Sequence, residues 1–126
     1  MTLNPIASRP LANGLHLVLA DHSRRIAGDR WYVCVTMEIK IPVAKKWFAN
    51  EGIEAAAFDR IADELGPEIV FRQKKERNFV SDDQKAKIVA EICDSAMALG
   101  IQYCSSDAFA AKFILKTFGE RPRRRN

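Results

Sequence analysis

From Arg30 to Ile41 the chain alternates between apolar and other residues. Trp31, Val33, Val35, Met37, Ile39 and Ile41 are all apolar, and Arg30, Thr36, Glu38 and Lys40 fall between them. A period of two is that of a strand with one buried face. At about 3.3 Å per residue the segment is about 40 Å long if straight, whereas a compact domain of this chain length has a radius of gyration of about 14 Å. The strand therefore crosses the whole body, bends at a bulge or overhangs its neighbours.

The same reading places other elements around it. Residues 1–13 contain Pro5, Pro10 and the start of the turn pair Asn13-Gly14, which predicts an extended or loosely docked arm. Leu15, Leu17 and Leu19 line one face of a short strand. The polar segment Asp21–Asp29 then reads as a long hairpin connection into the central strand. Ile53, Phe58, Ile61, Ala62 and Leu65 form a helical stripe that ends at Gly66-Pro67. Glu68–Lys74 starts with β-favouring residues and ends in charge, predicting a third strand whose far end leaves the core, with Ile69 and Phe71 on one face and Val70 on the other. Ser81 and Gln84 have the spacing of a capping box for a helix carrying Val89, Ile92, Cys93 and Ala96, with Gly100 as its stop. Ser106-Asp107 opens a last helix with Phe109, Phe113, Ile114 and Phe118 on one face. Residues 43–50, with Trp47 and Phe48, have no regular period.

The predicted order is strand, strand, helix, strand, helix, helix. It describes an α+β fold with a small, mainly antiparallel sheet and helices packed on one face. Residues 14–119 form one domain, preceded by the arm of residues 1–13 and followed by a disordered basic tail, residues 120–126.

Composition narrows the class. An apolar fraction of 48% supports an ordinary core. No stretch approaches about 18 consecutive apolar residues, so no membrane partner is expected. The first ten residues lack the pattern of a secretory leader, and the three cysteines, Cys34, Cys93 and Cys104, have no C-x-x-C spacing; a cytoplasmic location is the expectation. The net charge of +4 equals the contribution of Arg121, Arg123, Arg124 and Arg125, so the remainder of the chain is balanced. A pI raised by one tail is a weaker nucleic-acid footprint than a basic stripe over a face.

Candidate chemistry follows the polar clusters. Arg24, Arg25 and Arg30 flank Gly28 and are suited to holding a phosphate or carboxylate through bidentate bonds; turn capping and local ion pairs explain the same residues. Arg72, Lys74, Lys75 and Arg77, bordered by Phe71 and Phe79, have the composition of a single-strand nucleic-acid track, interrupted by Glu76. A charged strand end that discourages edge pairing is the competing reading. Asp21, His22 and Ser23 are sequence neighbours, and neighbours in a strand or tight loop cannot point at one another, which argues against a catalytic triad. His16, His22 and the cysteines show no metal-ligand spacing. The carboxylate pairs Asp59/Asp63 and Asp82/Asp83 are explained by a solvated helix face and a helix N-terminus.

The expectation is a non-enzymatic protein-interaction domain without cofactor or metal, able to self-associate along an uncovered sheet edge. The alternative is a nucleic-acid or phosphate-ligand module using the arginines near Gly28, the 72–77 run and the C-terminal arginines.

Overall fold

The computed structural model describes residues 5–49 and 52–121. The expected tail disorder concerns residues 120–126, of which 122–126 lie outside the described residues. The central strand β4 spans Arg30–Pro42 and organises a five-stranded, antiparallel sheet. On one side it pairs in succession with β2 (His16–Asp21) and β3 (Arg24–Ala27), and on the other with β5 (Glu68–Ser81) along its whole length, from Arg30 opposite Ser81 to Pro42 opposite Glu68. β1 (Pro5–Pro10) adds to the outside of β2.

The α+β class, the antiparallel sheet and the single covered face agree with the sequence reading, but the strand count rises. The arm contains β1, because its register against Leu17–Ala20 satisfies backbone groups that an undocked arm leaves to water. The expected hairpin connection contains β3, which pairs with Trp31 and Tyr32 and returns through a tight turn at Gly28, whose φ of 53° suits a residue without Cβ. The third strand continues to Ser81 rather than stopping at Lys74, since β4 supplies ladder partners all the way.

The helices follow, with two corrections. A 3-10 turn at Lys45–Phe48 buries Trp47 and Phe48, and the Trp47 Nε1–H donates to the Pro42 carbonyl at 2.8 Å. Helix α1 spans Ala55–Leu65 and ends at Gly66 as its sequence implies. Helix α2 begins at Lys85 without a side-chain cap, because Ser81 belongs to β5 and its hydroxyl donates to Asp83 at 2.6 Å. The helix passes through Gly100 and stops at Tyr103. Gly100 is a contact residue rather than a stop: a Cβ there would lie 2.0 Å from Leu17 Cδ1. Helix α3 (Asp107–Glu120) is capped by Ser106, whose Oγ accepts the Phe109 N–H at 3.1 Å.

The helices cover the odd-numbered face of β4. Leu17, Leu19, Met37, Ile39 and Ile41 pack with Trp47, Phe48, Phe58, Ile61 and Ile114 in the larger core cluster. Val33, Val35, Val80 and Ile92 form a smaller one under α2. Each fully buried aliphatic side chain contributes roughly 1.5–3 kcal/mol of transfer free energy. Phe71 joins sheet to helix by meeting Phe109 and Phe113 edge-on, each at 5.1 Å between centroids.

Candidate functional site

β5 is hydrogen-bonded along one side only: β4 is its partner, and the opposite side has none among the described residues. At roughly 3.3 Å per residue this free edge is about 45 Å long, far longer than the other outer strands β1 and β3. Backbone donors and acceptors on such an edge are a template for another strand.

The edge carries its own controls. Between the pairs Trp31/Val80 and Val33/Arg77 the ladder shifts, so that Asn78 and Phe79 oppose Tyr32 in a bulge on β5. Phe79 adopts φ 57° and leaves 73% of its surface exposed. A left-handed backbone at a bulky residue stores of order 1–3 kcal/mol, and here the strain presents an aromatic ring to solvent at the end of the edge.

The two faces of β5 differ. On the face away from the helices, Arg72 meets Glu38 at 2.9 Å and Lys74 meets Glu76 at 3.4 Å. The Tyr32 hydroxyl donates to Glu76 at 2.5 Å. That bond stabilises the neutral phenol and the ionised carboxylate together, with the Cys34 thiol also acting on the phenol; Tyr32 is pushed well above the usual phenol range and Glu76 is held below the usual carboxylate range.

On the helix side, Gln73, Lys75 and Arg77 stand at the mouth of a cleft of about 530 Å³ between β5 and α2. α2 rests mainly on β4 and β2, which leaves this strip of β5 uncovered. The floor is apolar, from Val35 and Met37 of β4 and Ile88, Ile92, Ala96 and Leu99 of α2. Glu91 and Ser95 line the α2 wall. A shallower hollow of about 330 Å³ is lined by Phe71, Tyr103, Phe109 and Phe113, beside Lys112 and Lys116.

The predicted anion contacts do not converge. Arg24 lies over the Tyr32 ring at 5.1 Å, whereas Arg25 lies over Trp31 at 4.8 Å on the opposite face, donates to the Gly28 carbonyl and meets Asp82 at 3.5 Å. Arg30 pairs with Asp29, and Arg121 with Glu64. Arg123, Arg124 and Arg125 lie outside the described residues. Of the 72–77 run, Arg72 and Lys74 have carboxylate partners, while Lys75 and Arg77 have none within 4 Å among the described residues.

The remaining reactive groups hold backbone and side chains in place. Asp21 accepts from the Ser23 N–H, Ser23 Oγ accepts from the Cys34 N–H, and His22 Nε2 meets Thr36 Oγ1 at 3.0 Å. Burial pushes the Cys93 and Cys104 thiols up, away from the reactive thiolate. Among the described residues no three His, Cys, Asp or Glu side chains gather as a metal-ligand set. No described helix is long and apolar enough to cross a membrane.

Sequence reasoning missed the cleft and the reach of the edge. Phe79-Val80, two β-favouring residues beyond the basic run, were the available signal that the strand continues. Together the edge and the cleft define a five-stranded α+β domain with one long strand that, among the described residues, is unpaired on its outer side. Comparisons with protein families, curated proteins and solved structures find no match to this chain.

Proposed function

We propose that the protein is a non-enzymatic, cytoplasmic interaction domain that accepts an extended segment of a partner protein along β5. The unpaired side of β5 carries this reading, since strand addition draws its affinity from backbone bonds and its selectivity from alternate side chains. The segment from Arg72 to Arg77 holds four cations and one carboxylate. A second copy docked edge to edge brings these cations together, so the charge disfavours self-pairing and favours an acidic partner strand. The phosphate-binding reading loses support because, among the described residues, four of its six arginines, Arg25, Arg30, Arg72 and Arg121, already have carboxylate partners. Three free cysteines, two of them buried, fit a reducing compartment.

A photo-cross-linking residue placed at the exposed Val70 on β5 is expected to capture a discrete protein partner in cells, and the same residue at Arg60 on α1 is not. Lys74→Glu and Lys75→Glu together should abolish the Val70 product. Light scattering should show a monomer across a wide concentration range. Equal capture at both positions, or none at Val70, removes the reading; a concentration-dependent dimer broken by the same two substitutions replaces the foreign partner with a second copy.

A further inference from the structure

The cleft between β5 and α2 differs from the edge in what it can hold. Its floor is continuous apolar surface from two layers of the fold, Val35 and Met37 below and Ile88, Ile92, Ala96 and Leu99 beside. Its length along α2, from Ile88 to Leu99, is about 16 Å at about 1.5 Å per residue. A volume of about 530 Å³ is that of a small-molecule pocket. At the outer wall stand Lys75 and Arg77, two residues apart on the same face of β5. Neither has a carboxylate within 4 Å among the described residues, in contrast to Arg72 and Lys74 on the other face of β5. The other charge in the lining is Glu91 of α2, which leaves the mouth net positive.

We propose that this cleft binds an anionic amphiphile, a free monomeric fatty acid, with its alkyl chain on the Met37, Ile92 and Leu99 floor and its carboxylate on Lys75 and Arg77. Two cations adjoining an apolar trough complement a ligand that is apolar along its length and anionic at one end. Arg77, whose Nη1 donates to the Glu76 carbonyl at 2.8 Å, keeps further N–H donors for a carboxylate, and Gln73 on the β5 wall and Ser95 on the α2 wall supply neutral donors. The anionic headgroup of a membrane lipid shares this chemistry, but the trough is walled on both sides by β5 and α2, so a chain already embedded in a bilayer cannot lie down in it. The assignment is independent of strand addition to β5.

The test uses dodecanoate below its micellar concentration, with dodecanol, dodecyltrimethylammonium and vesicles of phosphatidylglycerol as comparison probes, followed by calorimetry and methyl NMR on the full chain. Dodecanoate should shift the Met37, Ile92 and Leu99 methyl signals and bind more tightly than the alcohol, with the cationic amphiphile weakest. Lys75→Gln with Arg77→Gln should weaken dodecanoate by about tenfold and leave dodecanol unchanged. Ala96→Trp, placed on the half-buried side of α2, should fill the trough and weaken both. Unchanged dodecanoate affinity in the double variant overturns the proposal, as do methyl shifts elsewhere, equal binding of the cationic amphiphile, or binding to the vesicles in place of the monomer. Because the Gln variants stay at exposed positions, their folding is checked by an unchanged far-ultraviolet spectrum. Absence of dodecanoate binding to the unsubstituted protein, alongside intact cross-linking at Val70, rejects the cleft assignment and leaves the edge reading standing.

Discussion

Single residues on β5 and α2 set how closely the layers approach. Gly100 sits inside a helix, where glycine costs about 1 kcal/mol relative to alanine, yet its bare Cα lets α2 touch Leu17. Gly100→Ala therefore gains helix propensity and loses more by overpacking, since a Cβ 2.0 Å from Leu17 Cδ1 forces backbone or rotamer shifts. The expected net is a destabilisation of roughly 1–3 kcal/mol, read as a lower urea midpoint at unchanged slope. At the opposite face, Tyr32 and Glu76 make a titration prediction. Glu76 is held below the usual carboxylate range, so its share of the bond is present at neutral pH and is lost as acid carries the pH down through its folded value. Tyr32 is raised, so its share is full below the ordinary phenol value of about 10 and disappears only as pH climbs through the higher folded one. Tyrosinate absorbance should show one of the two tyrosines ionising late, and Glu76→Gln should bring that ionisation down.

At the scale of elements, the contrast between α2 and α3 separates a sequence motif from its use. Both helices are preceded by residues of capping type, but only Ser106 has its oxygen on a helix N–H; Ser81 is held in the β5 ladder against Arg30. Ser106→Ala should cost about 1 kcal/mol. Ser81→Ala should cost less than that, because it removes a hydroxyl bonded to an exposed Asp83 rather than a cap. Paired urea melts of the two variants check the difference. β5 shows the same principle for strands. Its start reads as β from Ile69, Val70 and Phe71, while the stretch from Arg72 to Arg77 is mostly basic and exposed, and what keeps that stretch extended is the partner strand, not its own preference.

Across the described residues, β2 and β4 both have ladder partners on two sides, and β4 is the longer of them, with an odd face that runs through both core clusters. Native-state hydrogen exchange should find its amides among the slowest in the protein, with β5 alternating between protected amides bonded to β4 and faster ones on the free edge. Uniform protection along β5 in a monomeric sample would contradict the free edge from which the interaction reading starts. Much of this architecture was legible beforehand. Alternation from Trp31 to Ile41 specified β4 and its buried face, the stripe of Phe58 and Ile61 specified α1, and Ser106 specified the start of α3. These features rest on local periodicity and local hydrogen bonds, which a sequence carries in full. The strands β1 and β3, the length of β5, the passage of α2 through Gly100, and the placing of Lys75 and Arg77 beside an apolar trough were decided by tertiary structure. Each depends on a partner distant in sequence: a polar or weakly patterned segment becomes a strand when a neighbouring ladder satisfies its backbone, and a cleft exists only where two packed elements leave space between them.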